Sequence, residues 1–290
     1  MYRWGPAARR DAFSSIGVDL CAPLCEARGM TREERAYLAG HRCHEVEPLM
    51  KRWRLIAREA GLKVCRWPGA ERSRILALST PQEETSRGLY LSAGIHGDEP
   101  AAVQGLLQWA EGNISFLQNH PVVILPCLNP WGLGNNLRED EAGRDLNRCF
   151  DQLEIPVIGA VHRLIEGWDF EAALCLHEDF DANGVYVYEL ARRGERLGEM
   201  ILRQVERIIP RHRGKVEGRS STNGVLRRTR GLEKIVEEIG GKPEAIHLFM
   251  GHARTALTFE TPSEYSLYRR VQCHVLFLDR LVDSLRRRHK

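Results

Sequence analysis

Residues 88 to 100 run Gly88-Leu-Tyr-Leu-Ser-Ala-Gly-Ile-His-Gly-Asp-Glu-Pro100. The apolar residues 89–95 predict a short buried strand, and Pro100 suits the first turn of a helix. His96 directly follows the predicted strand and Glu99 opens the helix, so an imidazole and a carboxylate can meet across one tight turn. Two histidines and a glutamate, with one position open to water, are an established ligand set for catalytic zinc. This turn therefore offers two of the three ligands of such a site.

The spacing of His96 and Glu99 is not sufficient evidence by itself. The chain has 11 histidines, for which about one His-x-x-Glu is expected by chance. A second copy exists at His44 and Glu47, and it also precedes a proline. The residues before His44 are polar and show no strand pattern, so we interpret His44 and Glu47 as the start of a solvated helix. His96 differs because it ends an apolar run.

From about residue 72 onward, predicted strands alternate with predicted helices, which indicates an α/β domain. Two of the later strands carry chemically useful side chains at their ends, namely His177 and Glu260. Ligands bind at the strand ends of open α/β sheets, so these groups are expected to converge with His96. The predicted strands are 75–78, 89–95, 122–128, 172–177, 184–190 and 256–261, and the predicted helices are 99–109, 157–165, 195–209 and 268–285.

The first 66 residues predict helices only. Thr31 and Glu34 have the spacing of a capping box, in which each side chain binds a free backbone amide of the first helical turn. A second helix is predicted from about Pro48, and Gly61 ends it. We therefore predict an N-terminal helical extension, residues 1–66, followed by one catalytic domain, residues 67–290.

The composition is that of an ordinary globular protein: 43% hydrophobic, 28% charged and a net charge of +3 over 290 residues. This charge is too small to indicate nucleic-acid binding. Residues 211–230 hold seven basic residues, but they include no aromatic residue, so we favour a solvated loop over a nucleic-acid site. No signal peptide or membrane-spanning stretch is recognisable. We expect a cytoplasmic protein with no nucleic-acid or membrane partner.

The eight cysteines are scattered along the chain, which is typical of reduced core thiols rather than a disulfide framework. A metal cluster is conceivable near the N-terminus, from Cys21, Cys25, His41, Cys43 and His44. No pair among them has Cys-x-x-Cys spacing, so this interpretation is disfavoured.

The segment from 129 to 150 reads Asn129-Pro-Trp-Gly-Leu-Gly-Asn-Asn-Leu-Arg-Glu-Asp-Glu-Ala-Gly-Arg-Asp-Leu-Asn-Arg-Cys-Phe150. With the motif at 94–99, a histidine after an apolar strand and a strand-end glutamate, it resembles the zinc carboxypeptidase (metallocarboxypeptidase) family. The wider group includes succinylglutamate desuccinylase/aspartoacylase. Six motif elements occur in the family's order between Gly94 and Glu260. The resemblance implies an α/β fold with a mixed, largely parallel sheet and helices on both faces.

The resemblance also implies a metal site with one zinc ion per chain. By this comparison His96, Glu99 and His177 bind the zinc, with a water in the fourth position. Asp145 accepts a hydrogen bond from His96 and so fixes its tautomer and orientation.

The same resemblance assigns the reacting groups. Glu260 is the general base that takes a proton from the attacking water and passes it to the leaving amine. Arg138 stabilises the oxyanion of the tetrahedral intermediate. Asn147 and Arg148 hold the free carboxylate of the substrate, for which a guanidinium group is a natural partner.

The leading hypothesis is a zinc-dependent metallocarboxypeptidase-like hydrolase that cleaves an amide bond next to a free carboxylate, with metal-activated water. The alternative is a deacylase of N-acyl amino acids, like succinylglutamate desuccinylase/aspartoacylase. One long helix follows Glu260, whereas that group generally continues into further strands, so the peptidase is favoured. A non-catalytic metal- or peptide-binding protein is a third possibility, but it has no need of both Glu260 and Arg138. The oligomeric state is left open.

Two departures from the family pattern leave the substrate preference open. No tyrosine lies between Tyr188 and Glu260, where the family usually has one that closes over the substrate. Tyr186 or Tyr188 can be its substitute or a core residue, and Trp131 stands where the commoner pattern has aspartate.

The charged residues near the site suggest opposite substrate preferences. Arg254 can meet an acidic substrate group, whereas three acidic residues after the second zinc histidine can favour a basic one: Glu178, Asp179 and Asp181.

Overall fold

The computed structural model describes residues 30–68, 74–81, 86–192, 196–216, 218–227 and 231–288. Its strands are β1 (Lys63–Pro68), β2 (Arg74–Ser79), β3 (Ser86–Ser92), β4 (Val122–Leu125), β5 (Asp169–Asp179), β6 (Tyr186–Ala191), β7 (Lys215–Val216), β8 (Arg219–Ser220), β9 (Val225–Arg227) and β10 (Ala253–Pro262). Its helices are α1 (Arg32–Gly40), α2 (Val46–Ala60), α3 (Pro100–Gly112), α4 (Ile114–Asn119), α5 (Pro130–Asn135), α6 (Pro156–Ile165), α7 (Leu197–Val205), α8 (Leu232–Ile239), α9 (Glu244–Gly251) and α10 (Leu267–Arg288).

Eight strands form one sheet in the order β1-β2-β4-β3-β5-β10-β6-β9, while β7 and β8 pair separately. The central strands β4, β3, β5 and β10 are parallel to one another. Antiparallel pairs join β1, β2 and β4 on one side and β10 and β6 on the other. The predicted mixed, largely parallel sheet is confirmed.

Both faces of the sheet are covered by helices, as predicted. Alternate residues of β3 show this arrangement, because Leu89 and Leu91 belong to one hydrophobic cluster and Tyr90 belongs to the other. Helices α2, α3, α7 and α10 contribute to the first cluster, and α6, α8 and α9 contribute to the second. The last helix docks on the sheet, where the ring of Phe277 stacks on that of Phe259 with a centroid distance of 4.2 Å.

The predicted helices of the N-terminal region are present. Thr31 Oγ1 accepts a hydrogen bond from the Glu34 backbone N–H, and the Thr31 N–H donates to the Glu34 carboxylate at 2.7 Å. Helix α2 ends at Gly61, which has a left-handed backbone with φ of 68°. The proposed division between residues 66 and 67 falls within β1, and residues 1–29 lie outside the described part of the chain.

Several predicted boundaries differ from the structure. Strand β3 ends at Ser92, because Gly94 has a φ of 61° that an extended strand does not tolerate. Strand β5 continues to Asp179, so His177 lies within it. The predicted loop 211–230 contains β7, β8 and β9, and α8 and α9 lie in a region for which no helix was predicted.

Six cysteines lie in the described residues, and all six are free thiols, while Cys21 and Cys25 fall outside. In the ranges that the structure covers, no helix combines the length and the apolar character that a membrane crossing requires.

Candidate active site

Two glycines shape the turn that carries His96 and Glu99. The backbone oxygen of Gly94 accepts a hydrogen bond from the Asn129 N–H at 2.7 Å, which joins the ends of β3 and β4. Gly97 lies directly against α5, and a Cβ atom there would fall 1.9 Å from the carbonyl carbon of Gly132. Only glycine permits this approach, so the turn is held against the neighbouring loop.

Asn129 organises the loop that carries Arg138. Its Oδ1 accepts a hydrogen bond from the Gly132 N–H at 2.8 Å and so caps α5. Its Nδ2 donates to the backbone oxygen of Glu139 at 2.9 Å. The Asn-Pro-x-Gly motif therefore serves to fold this loop back over the end of the sheet.

His96, Glu99 and His177 come together as a buried group whose candidate ligand atoms all lie within 4.8 Å of one another. Nδ1 of His96 lies 2.5 Å from Oε1 of Glu99, and Nδ1 of His177 lies 2.9 Å from Oε2. The two carboxylate oxygens thus face one imidazole each. Two imidazoles and a carboxylate are a donor set that suits a divalent metal ion.

The charges in this group are strongly coupled. Burial opposes the charge on His96, but the Glu99 and Asp145 carboxylates outweigh burial and raise the pKa of His96 to about 9. Burial acts to raise the pKa of Glu99, yet the two imidazoles hold this pKa well below its usual range. The Glu99 carboxylate therefore stays ionised, and this compact site favours a positive charge at its centre.

Asp145 and Arg138 lie beside the histidine, as the resemblance implies. Asp145 Oδ1 is 3.1 Å from Nε2 of His96, so it can accept the proton on the nitrogen opposite Nδ1. Nη2 of Arg138 donates to Asp145 Oδ2 at 3.0 Å, and its Nη1 lies 3.6 Å from the Glu99 carboxylate. Arg138 therefore reaches from the loop to the edge of the metal-ligand group.

Asn147 and Arg148 lie on a 3-10 turn that Asp145 caps. The nearest carboxylate to Arg148 is that of Asp145, at 4.0 Å, so its guanidinium group is only weakly paired. Oδ1 of Asn147 accepts a hydrogen bond from the Glu244 N–H at 3.0 Å. This turn is consequently fastened to the start of α9.

Glu260 on β10 is the direct partner of His177 on β5 and of Tyr186 on β6. Burial raises the pKa of the Glu260 carboxyl, and the neighbouring carboxylates of Glu99 and Asp179 raise it further, against the effect of His177. The Tyr186 hydroxyl donates to Asp179 Oδ2 at 2.7 Å. A carboxyl group with a raised pKa beside a metal-ligand group is suited to proton transfer.

A single cavity of about 640 Å³ connects these groups. Of the eight residues that the resemblance implies, seven line the cavity and Asp145 does not. The seven are His96, Glu99, Arg138, Asn147, Arg148, His177 and Glu260. The three acidic residues 178, 179 and 181 line it as well, and Phe180 stands 82% exposed between them.

Other residues considered from the sequence lie elsewhere. Arg254 pairs with Asp169 at 3.3 Å at the start of β10 and does not line the cavity. The imidazole of His44 lies 2.7 Å from the backbone oxygen of Leu133, while exposed Glu47 pairs with Arg54. Across the described residues, the only group with metal-ligand geometry is that of His96, Glu99 and His177.

Sequence reasoning did not find the structural role of two buried carboxylates: it considered Glu178 only as a group that could favour a basic substrate, and it did not single out Glu244. Glu178 accepts a hydrogen bond from the Ala101 N–H at 2.6 Å, and Glu244 accepts one from the Tyr90 hydroxyl at 2.6 Å. Each partner is more than 70 residues away in the chain. The adjacency of Glu178 to His177 was a weak signal for the first, and no local pattern indicated the second.

Comparison with known proteins gave a family match over part of the chain. The family model described as succinylglutamate desuccinylase/aspartoacylase catalytic domain matches residues 85–154. Comparison with the curated proteins gave no match.

Solved structures share the fold. A candidate metallopeptidase from Shewanella amazonensis has a TM-score of 0.73 at 20% identity, covering 84% of this chain and 94% of the other. One from Shewanella denitrificans has a TM-score of 0.72 at 20% identity, covering 83% and 90%. A metallo-carboxypeptidase from Pseudomonas aeruginosa, in complex with (2-guanidinoethylmercapto)succinic acid, has a TM-score of 0.52 at 18% identity, covering 81% and 69%.

The resemblance to the metallocarboxypeptidase group, which includes succinylglutamate desuccinylase/aspartoacylase, is therefore confirmed. The solved structures show the fold, residues 85–154 match the family model, and the buried group of His96, Glu99 and His177 has the donors to hold a metal ion.

Proposed function

We propose that the protein is a zinc-dependent, metallocarboxypeptidase-like hydrolase that cleaves an amide bond next to a free carboxylate. One observation carries this proposal: the three candidate ligands converge within 4.8 Å, in a cavity that also contains Glu260, Arg138 and Arg148. A binding protein does not require a buried base and two cations beside its metal.

The donor set fits one zinc ion. Nδ1 of His96, Nδ1 of His177 and the Glu99 carboxylate face one another, and Asp145 occupies the remaining nitrogen of His96. The contact between Asp145 and Nε2 favours the tautomer of His96 that carries its proton on Nε2, which leaves Nδ1 unprotonated and able to bind metal. When bound, zinc would act as a Lewis acid that polarises the substrate carbonyl and lowers the pKa of water.

Glu260 is the proposed general base. Its position opposite His177 places the carboxylate at the edge of the ligand group, where it takes the proton of the attacking water. The raised pKa of Glu260 lets the same group hold that proton and deliver it to the leaving nitrogen.

Arg138 and Arg148 have separate proposed roles. Arg138 reaches the ligand group and stabilises negative charge that develops on the carbonyl oxygen. Arg148 and Asn147, on the turn at 146–148, receive the free carboxylate of the substrate. The succinic acid derivative bound to the Pseudomonas aeruginosa protein is consistent with a substrate that bears a carboxylate.

A deacylase of N-acyl amino acids is the second candidate. The family model that matches residues 85–154 favours it, since that model describes succinylglutamate desuccinylase/aspartoacylase. The same ligands, base and carboxylate site serve both reactions, because both break an amide bond beside a carboxylate.

A substrate panel separates the two candidates. Purified, zinc-loaded protein is incubated with N-acetylated dipeptides and with N-acetyl and N-succinyl amino acids, and the released amino acid is quantified. Release from the dipeptides supports the peptidase, and release from the N-acyl amino acids alone supports the deacylase. Hydrolysis of neither class by zinc-loaded protein would contradict both.

A further inference from the structure

One end of the cavity is apolar, and it begins beside the proposed carboxylate site. The Glu244 N–H binds the Asn147 side chain, and the Lys242 N–H binds the backbone oxygen of Arg148 at 2.9 Å. Ala245 and Ile246 come next in the chain, and both line the cavity. The apolar end therefore begins next to the residues that are proposed to hold the substrate carboxylate.

The floor of the apolar end is the sheet face that carries Glu260. In the antiparallel pair of β6 and β10, Tyr188 is the partner of Thr258 and Leu190 is the partner of Ala256. Because side chains alternate along a strand, positions 256, 258 and 260 share one face. Leading away from Glu260, this floor carries two hydroxyl groups and no charge.

Helix α8 lies over this floor. Leu232, Ile235 and Ile239 line the cavity, and the first two are less than 9% exposed. They belong to, or pack against, the same hydrophobic cluster as Leu190 and Ile246. The walls of this end are consequently an extension of the protein core.

Two acidic groups of the cavity already have partners. Arg270 binds the Glu178 carboxylate, which also accepts the Ala101 N–H. Asp179 accepts the Tyr186 hydroxyl and, through Oδ1, the Asp181 N–H at 2.8 Å.

A further arginine and a lysine also line the cavity. Arg219 pairs with Glu238 of α8 at 2.8 Å, so its charge is already matched, and Lys215 is exposed.

We propose that the substrate residue that carries the free carboxylate has a large, uncharged, apolar side chain, a specificity that rests on the proposed function. An apolar side chain gains free energy by leaving water for this wall, whereas a carboxylate or ammonium group loses its hydration without gaining an unpaired group of opposite charge. N-acyl derivatives of glutamate and aspartate are accordingly poor ligands.

The test measures binding, so it does not depend on turnover. Zinc-loaded Glu260→Gln protein is titrated calorimetrically with N-acetyl-methionine, N-acetyl-glutamine and N-acetyl-glutamate, which have similar sizes. We expect the methionine derivative to bind at least about tenfold more tightly than the glutamine derivative and roughly 100-fold more tightly than the glutamate derivative. Equal or tighter binding of the glutamate derivative, or no binding of any of the three, would overturn the inference.

A variant pair tests the location. Ile239→Asp is expected to improve the binding of Nα-acetyl-lysine roughly tenfold, because the new carboxylate supplies a partner for the ammonium group. Ile239→Asn has the same size without the charge and should give no such gain. Ile239 is only half-buried, which favours folding, and the titration of Glu260→Gln decides the inference if a variant fails to fold. Hydrolysis by the unmutated protein is measured separately and judges the proposed reaction.

A second inference comes from how α3 is capped. Glu99 is the N-cap residue of α3, yet it makes no side-chain capping bond, because its carboxylate faces the two histidines. Pro100 has no N–H to satisfy. The next N–H, that of Ala101, is bound by Glu178 from β5.

Glu178 is in turn held by Arg270 of α10, and both residues are at most 9% exposed. One carboxylate thus ties together the strand that carries His177, the helix that follows Glu99 and the last helix.

We infer that Glu178 and Arg270 are positioning residues for the metal ligand Glu99. They satisfy the helix end that Glu99 leaves open, so the Glu99 carboxylate remains available to the metal. A ligand held in place before binding loses less freedom when the ion arrives.

The chain contains a matched control. Glu189 of β6 accepts the Gly198 N–H in the first turn of α7 at 2.9 Å, and Arg227 donates to it at 2.7 Å. Like Glu178, it is a buried strand glutamate that caps a helix and pairs with an arginine. No proposed metal ligand adjoins α7.

Zinc affinity distinguishes positioning from general support. Glu178→Gln is expected to weaken zinc binding roughly 10- to 100-fold, whereas Glu189→Gln should leave it unchanged even if it lowers the melting temperature equally. Arg270→Met and Arg227→Met repeat the comparison if a glutamate variant does not fold. Equal losses of zinc affinity in the two members of a pair, or no loss with Glu178→Gln and Arg270→Met, would overturn this inference.

Discussion

Glu260 and His177 are direct partners on the parallel strands β10 and β5, and their side chains lie on the same face of the sheet. The proposed base and a proposed metal ligand are therefore related by strand register rather than by a flexible loop. A slip of one residue would turn every side chain of β10 to the opposite face and remove Glu260 from the site. The rigidity of the central sheet thus holds the proton-accepting group in position.

Replacing Arg148 with methionine should raise KM roughly 10- to 100-fold with little effect on zinc content, because a charged hydrogen bond to the substrate carboxylate is lost. Arg148 is suited to this role by its weak pairing with Asp145, at 4.0 Å. KM and kcat are measured separately on the best substrate of the panel.

Arg144→Met is the control for Arg148, since Arg144 lies in the same loop but pairs with Asp140 at 2.6 Å and does not line the cavity. An equal rise of KM in both variants would contradict a specific role for Arg148.

Zinc affinity should rise steeply with pH between pH 6 and 8. The pKa of His96 is raised to about 9 and that of His177 is also raised, so both imidazoles of the metal-free site hold protons that zinc must displace. Protons compete with the metal below pH 9, so zinc affinity increases with pH as the protons leave. We expect roughly 10- to 100-fold per pH unit, measured by competition titration with a chelator.

Asp145→Asn should reduce this pH dependence, because Asp145 contributes to the raised pKa of His96. Zinc affinity that does not change between pH 6 and 8 would show that zinc does not displace protons from these imidazoles.

Gly97→Ala should lower the free energy of unfolding by about 3 kcal/mol, because the added methyl group forces the turn away from Gly132. Gly112→Ala is the control, since a Cβ atom there meets nothing within 4 Å and alanine favours the helix. Urea unfolding of both variants measures the effect. Equal stability of the two would mean that the close approach at Gly97 is not needed.

Much of the site was predictable from the sequence because its residues are carried by short motifs. Residues 94–99 combine a strand end, two glycines and a helix start, and their local geometry follows from the residue types. Asp145, Asn147 and Arg148 also lie within one turn, but they were singled out by the family resemblance. His177 and Glu260 were recognised by their place near the ends of apolar strands, although both strands extend further than predicted.

The rest of the site depends on contacts between distant segments. Helices α8 and α9 have eight residues each, and their sequence pattern is too short to separate them from loops. Their apolar residues pack in a cluster formed by many segments, and the start of α9 is held by Asn147, 97 positions away in the chain. Glu178 likewise supports α3 through a partner that no local pattern indicates.

The most direct test of the central claim is the zinc content of the purified protein beside three variants, together with turnover on the substrate panel. We predict about one zinc per chain, its loss with Glu99→Gln, and its retention without turnover in Glu260→Gln. Glu47→Gln, from the second His-x-x-Glu, should keep both zinc and activity. Zinc that remains bound in Glu99→Gln, or turnover that survives in Glu260→Gln, would contradict the account.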